Sequence, residues 1–169
     1  MRGVTFHLVA AGVLLLANSA ATAAKDLTVP LTVLAPEAAL RLAQGALESC
    51  RGRGFQVAVA VVDRFGVPQA MLRDRFAGPH TPATATAKAY TAVSFRTSTV
   101  ELVERTQPGS PAAAIRGLPG VAVIGGGVVV EAGGNILGGI GVSGAPGGRE
   151  DEDCANVALA AIKEDLEFQ

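Results

Sequence analysis

Three glycines near the carboxyl end of the chain have the spacing of a phosphate-binding loop. Gly139, Gly141 and Gly144 form the pattern G-x-G-x-x-G between an apolar run and a predicted helix. A dinucleotide-binding unit also needs a second strand after that helix, and the sequence predicts none. The run from Glu150 to Asp153 places four carboxylates at the helix start, where a phosphate would bind. We therefore do not predict a dinucleotide site.

The same segment suggests two other kinds of chemistry. The carboxylates from Glu150 to Asp153 suit a hard cation such as calcium, but the helix dipole also explains acidic residues in a first helical turn, and we favour that interpretation. Ser143 follows a glycine closely, yet GVSGA is not the G-x-S-x-G pattern of a nucleophile elbow. His80 lies in a distant loop, so the sequence does not favour a hydrolase triad.

Residues 1–23 have the pattern of a secretory signal peptide. Arg2 gives a positive start, residues 7–17 are apolar, and Ala21-Thr22-Ala23 supplies small residues at a cleavage site. We predict a single mature domain over 24–169, located in the periplasm or secreted, with no membrane span after cleavage. An uncleaved N-terminal anchor is the alternative.

The two cysteines fall on the apolar faces of two predicted helices. Cys50 closes the first helix and Cys154 opens the last. If these helices lie antiparallel on one sheet, the sulfurs can meet, and in an oxidising compartment a disulfide would contribute roughly 3–5 kcal/mol. Two buried thiols are the alternative. The spacing excludes a CxxC redox motif and a zinc site.

Charge and composition exclude nucleic acid as a partner. The 169 residues include 14 basic and 15 acidic side chains, for a net charge of −1, and no basic run. Aromatic residues make up 4% of the chain and tryptophan is missing, so the sequence offers no platform on which bases could stack.

The elements that must position these residues follow an α+β order. Helices are predicted at about 36–50, 81–94, 98–107 and 150–166, and strands at 55–63, 67–72 and in the runs VAVI, VVVEA and ILGGIGVS. Strands joined by short turns must be antiparallel. We therefore predict a five-stranded antiparallel sheet with flanking helices.

Three long stretches resemble the GlcG/HbpS-like family of haem-binding or haem-degrading proteins: VAVVDRFGVPQAMLR, AKAYTAVSFRTSTVEL and GGVVVEAGGNILGGIGVSGAPGGREDEDCANVAL. The resemblance covers about residues 32–167. It implies a profilin-like α+β fold, a homo-oligomer, and haem or a related tetrapyrrole as ligand. An accessory protein or enzyme that handles a small organic acid is an alternative, as is a sensory partner without its own catalysis.

The resemblance makes several side chains candidates for ligand contacts. His80 precedes the second helix and is the candidate axial ligand of haem iron, with a solvated loop histidine as the alternative. Lys88 is a candidate partner for a ligand carboxylate, with a salt bridge to Glu150 or Asp153 as the alternative. The other candidates are Arg96, Arg116, Gly126 and Ser143. Because aromatic residues are sparse, we expect a shallow site at a subunit boundary.

Overall fold

The computed structural model describes residues 27–167, and all of its regular elements belong to one compact unit that begins at Leu31. The order is α1 (Pro36–Gly52), β1 (Ala58–Asp63), β2 (Pro68–Arg73), α2 (Thr81–Phe95), α3 (Thr99–Arg105), a 3₁₀ helix (Ala113–Gly117), β3 (Gly127–Ala132), β4 (Asn135–Ser143) and α4 (Gly148–Glu167). The predicted signal peptide lies outside the described residues. Within them, no helix has the length and apolar character to cross a membrane.

The four strands form one antiparallel sheet in the order β2-β1-β4-β3. The first five residues of β1 are buried, because α1 and α4 cover one face of the sheet and α2 covers the other. The main core lies under α1 and α4 and includes Leu42, Val59, Ile140 and Ile162. The predicted α+β class and its flanking helices are confirmed.

The predicted fifth strand, VAVI at 121–124, is wrong. In the structure this run is an irregular segment between the 3₁₀ helix and β3. The N–H of Ala122 donates to the hydroxyl of Thr91 on α2 at 2.8 Å, and the N–H of Val121 donates to a turn carbonyl at 3.2 Å. The β-branched residues favour a strand, but these hydrogen bonds to a helix side chain and to a turn replace strand pairing.

An aspartate closes the hairpin between β1 and β2. Asp63 Oδ1 accepts hydrogen bonds from the N–H groups of Phe65 at 2.8 Å and Val67 at 2.9 Å. Gly66 adopts a φ of +82° in the same turn. An aspartate that accepts from the backbone just after it, followed by a glycine with positive φ, is a common turn arrangement. The predicted hairpin is confirmed.

Two glycines of β4 allow α2 to lie directly on the sheet. A Cβ added to Gly141 would lie 2.0 Å from the carbonyl oxygen of Ala85, and one added to Gly139 would lie 2.6 Å from that of Ala89. Both carbonyls belong to the backbone of α2, so no side-chain rotation can relieve the contact. These members of the G-x-G-x-x-G pattern thus serve close packing between helix and strand.

Gly141→Ala is expected to lower the free energy of unfolding by about 1–3 kcal/mol or more, because the new methyl group must push α2 away from β4. Gly52→Ala is the matched control, since a Cβ there meets no atom within 4 Å, and it should leave stability unchanged or raise it by up to about 1 kcal/mol. Urea denaturation measures both values. Equal stability of the two variants would contradict the close packing described here.

A disulfide joins the first and last helices. Cys50 of α1 and Cys154 of α4 are bonded, with their Cα atoms 5.5 Å apart and a separation of 104 positions in sequence. Both are fully buried in the core under the sheet. The described residues contain no free cysteine. The bond fixes α1 against α4 at the end where the loops to β1 and from β4 meet.

Candidate functional site

A cleft of about 690 Å³ opens beside the end of β4. Three segments form its walls: the loop after α1, the loop from β2 into α2, and the glycine-rich loop from β4 into α4. The lining side chains include Phe55, Gln56, Phe76, His80, Thr81, Thr84, Ile124, Ser143 and Pro146. This size lies within the range of small-molecule sites, and the mixture of apolar and polar groups is typical of them.

A buried ion pair lies at the base of the cleft. Lys88 of α2 and Asp151 of α4 are only 2% and 3% exposed, and Lys88 Nζ donates to Asp151 Oδ2 at 2.8 Å. Lys88 Nζ also donates to the carbonyl of Val142 at 2.9 Å, and Asp151 Oδ1 accepts from the N–H of Ala145 at 3.0 Å. The pair therefore fastens α2, β4 and the start of α4 to one another.

Burial is the largest influence on the pKa of the Asp151 carboxyl. It raises the pKa of the Asp151 carboxyl above its ordinary value. The hydrogen bond and charge of Lys88, together with the N–H groups of Ala145 and Gly144, act in the opposite direction. The carboxylate thus depends on its partners for its charge, and the removal of one partner would leave the other unpaired in a dry environment.

The absence of a side chain at Gly126 leaves room for the Lys88–Asp151 pair. A Cβ on this residue would lie 2.7 Å from the carbonyl oxygen of Val142 and 3.0 Å from Lys88 Nζ. Its φ of +115° is also one that side-chain-bearing residues rarely adopt. Gly126 therefore permits the approach of Lys88 to Asp151 and does not itself line the cleft.

The structure brings three of the predicted ligand residues together. His80, Lys88 and Ser143 all line the cleft, although they come from the start of α2, the middle of α2 and the end of β4. Lys88 lies at the bottom, with its ammonium group in the ion pair. Lys88 does form a salt bridge with an acidic residue of α4, as the alternative interpretation expected. Its partner, however, is Asp151 and not Glu150 or Asp153.

His80 lies exposed at the rim of the cleft, immediately before α2. Its carbonyl accepts hydrogen bonds from the N–H of Thr84 at 3.1 Å and from the Thr84 hydroxyl at 3.0 Å, which fixes its backbone. Within residues 27–167 its imidazole makes no hydrogen bond or ion pair. The ring is therefore available for a ligand.

The two predicted arginines lie elsewhere. Arg116 donates to the carbonyls of Thr106 at 2.7 Å and Val103 at 3.0 Å, and so closes the end of α3. Arg96 follows α2 with a φ of +54° and lines a separate pocket of about 380 Å³ together with Arg64. The structure does not bring either residue to the cleft.

Two of the four acidic residues at the start of α4, Asp151 and Asp153, form ion pairs within the protein. Asp153 pairs with Arg53 at 3.2 Å. Burial raises the pKa of the Glu152 carboxyl, and its buried Oε2 has no hydrogen-bond partner among the described residues. Among residues 27–167, no group of three or more histidine, cysteine, aspartate or glutamate side chains is arranged to hold a metal ion.

Sequence reasoning missed the aromatic part of the cleft. Phe76, in the loop between β2 and α2, is 79% exposed and lines the cleft with Phe55 and Ile124. The low aromatic content predicted a poor surface for a flat ligand, yet two of the six phenylalanines line this cleft. A phenylalanine in the charged stretch RDRFAG was the available signal, because large apolar residues in loops mark binding surfaces.

Comparisons with known proteins agree in pointing to one family. Residues 34–160 match the family model described as haem degrading protein HbpS-like. The corrinoid adenosyltransferase PduO of Salmonella typhimurium is 35% identical over 127 residues, which are 72% of this chain and 37% of PduO. The chain thus spans about a third of the length of the curated relatives that it matches.

Two solved structures share the fold at substantial sequence identity. A double mutant of HbpS from Streptomyces reticuli is 39% identical with a TM-score of 0.76, over 85% of this chain and 97% of that one. The complex of PduOC with haem is 31% identical with a TM-score of 0.73, over 78% of this chain and 96% of that one. The likeness extends over nearly the whole of both known domains.

Proposed function

This chain belongs to the HbpS-like family of haem degrading proteins, and we propose that it binds haem or a related tetrapyrrole in the cleft beside β4. The observation that carries the proposal is an exposed histidine without a hydrogen-bonded partner in the described chain, at the rim of a cleft that also presents exposed apolar side chains. The complex of the similar PduOC with haem supports the same ligand class.

The residues of the cleft suit a haem group. Imidazole is a common ligand of haem iron, and His80, which lines the cleft, is the residue that would supply one. Phe55, Phe76 and Ile124 offer apolar surface to the ring system. The cysteines are not available to iron because they form the disulfide, and Met71 and Tyr90 do not line the cleft.

The chain's own residues would bind and orient the group. When bound, haem supplies an iron that can take part in redox or ligand chemistry. His80 would fix the iron, the apolar side chains would exclude water from the ring, and the Lys88–Asp151 pair would hold the wall formed by residues 144–148. We propose a binding protein, with no catalytic residue assigned.

The alternative of a small organic acid has less support. It requires the Lys88 ammonium to grip a carboxylate of the ligand, but that ammonium already bonds to Asp151 Oδ2 and to a backbone carbonyl. A new carboxylate would have to displace a buried partner, which is costly.

We also propose that the protein is exported and forms a homo-oligomer. The pattern in residues 1–23 supports export, and a buried disulfide is typical of proteins in oxidising compartments. The mass of the protein recovered from its host tests the cleavage after Ala23, and size-exclusion chromatography with light scattering tests the assembly.

Haem titration of the mature domain is expected to produce a Soret band, and His80→Ala should weaken haem binding roughly tenfold or more and shift the band, because an axial ligand is lost. Met71→Leu and Tyr90→Phe are controls outside the cleft and should leave the spectrum unchanged. Failure of the wild-type protein to bind haem would refute the proposed function. An unaltered spectrum in His80→Ala would refute the assignment of the ligand.

A further inference from the structure

A cation is stacked on the exposed aromatic ring at the mouth of the cleft. The guanidinium carbon of Arg75 lies 5.8 Å from the centroid of the Phe76 ring. Phe76 lines the cleft and is 79% exposed, and Arg75 is exposed as well. The contact with the ring restrains a side chain that would otherwise move freely in solvent. The positive charge is therefore held next to an apolar wall of the site.

Arg75 differs from Arg51, Arg53 and Arg73 because its guanidinium group has no hydrogen-bonded or ion-pair partner among the described residues. Arg51 and Arg53 each pair with an aspartate, and Arg73 donates to a backbone carbonyl at 2.6 Å. Within residues 27–167, Arg75 forms no ion pair and donates no hydrogen bond. Its charge is thus available to a ligand.

The interior of the cleft offers no comparable charge. Lys88 and Asp151 neutralise each other at its base, and the other deep side chains, such as Ser143 and Thr81, are neutral. A carboxylate buried there without a cation would lose its hydration without compensation. An apolar ligand that carries carboxylates should therefore insert its ring and keep its carboxylates at the mouth.

We propose that Arg75 and Phe76 together bind the ligand at the mouth of the cleft, with Phe76 in contact with the ring system and Arg75 bonded to a carboxylate. This inference rests on the proposed function of the same cleft and adds a specificity determinant to it. Guanidinium groups bind carboxylates with two parallel hydrogen bonds, so Arg75 selects for ligands with free carboxylates. The ligand class is a flat, largely apolar ring system with at least one carboxylate group.

Titration with haem and with haem dimethyl ester tests the inference, because the two differ only in whether the carboxylates are free. Arg75→Ala should weaken haem binding about tenfold and leave ester binding unchanged. Arg64→Ala is the matched control, since Arg64 also makes no ion pair in the described chain but lines the separate pocket with Arg96. It should bind both ligands as the wild-type protein does. Phe76→Ala should weaken the binding of both.

The possible outcomes separate this inference from the function on which it rests. Haem binding by Arg75→Ala at wild-type affinity, or an equal loss for haem and its ester, would overturn the role of Arg75 while haem binding itself stands. A wild-type protein that binds neither ligand would overturn the proposed function. Because Arg75 is exposed, its replacement should leave the thermal unfolding of the protein unchanged.

Discussion

Lys88→Ala is expected to lower the free energy of unfolding by about 3–5 kcal/mol, the usual cost of removing one member of a buried ion pair. The variant leaves the Asp151 carboxylate buried with only backbone N–H groups as partners. It also frees the start of α4 from α2, so the wall formed by residues 144–148 should loosen. Urea denaturation at neutral pH measures the loss.

The loss of unfolding free energy in Lys88→Ala should be smaller at low pH than at high pH. Burial already raises the pKa of Asp151, and the loss of the ammonium raises it further. A carboxyl whose pKa is higher in the folded chain than in the unfolded chain stabilises the fold at pH values below its unfolded-state pKa, which is about 3.9 for aspartate. This stabilisation is lost as the pH rises through the pKa of the carboxyl in the folded chain. The variant should therefore approach wild-type stability more closely near pH 4 than near pH 8.

Two further variants establish the origin of the effect. Lys163→Ala removes the cation of an exposed pair with Glu167 at 3.9 Å and should change stability by less than about 1 kcal/mol. The double variant Lys88→Met with Asp151→Leu removes both charges and should recover much of the loss. A double variant as unstable as Lys88→Ala would show that the cost does not come from an unpaired charge.

Removal of the disulfide is the second change with a large expected effect. The double variant Cys50→Ala with Cys154→Ala should lose roughly 3–5 kcal/mol of unfolding free energy, because the bond restricts the unfolded chain across a long loop. The measurement is urea denaturation of both proteins without reductant. The two small cavities left by the sulfurs add a lesser cost.

Reductant provides the control for this comparison. The wild-type protein refolded in its presence should fall to the stability of the double variant, whereas the variant itself should not respond. If the oxidised wild-type protein and the variant unfold at the same urea concentration, the bond contributes nothing to stability, contrary to this expectation.

Local signals carried most of the fold prediction. The proline at the start of α1, the Asp63 turn and the serine cap of α3 each act through neighbours in the sequence. The error at 121–124 has the opposite cause. The conformation of this segment depends on the Thr91 hydroxyl, 31 residues away in sequence, which accepts a hydrogen bond from the N–H of Ala122. Strand propensity contains no information about such a contact.

For the candidate site, the sequence could identify individual residues but not the contacts between them. Single residues with distinctive chemistry, such as His80 and Lys88, could be selected by type. The partner of Lys88 could not, because four consecutive acidic residues offer a partner and only the rotation of α4 against α2 selects Asp151. The stacking of Arg75 on Phe76 likewise depends on the path of the loop between β2 and α2.

The bond between α1 and α4 also determines how the protein would carry a mechanical load. All four strands, α2, α3 and every residue that lines the cleft lie between Cys50 and Cys154 in the sequence. Tension applied to the two chain ends would pass from one helix to the other through the sulfurs. The segments outside the bond could be extended, whereas the backbone of the strands and of the cleft could not be drawn out as long as the bond remained intact.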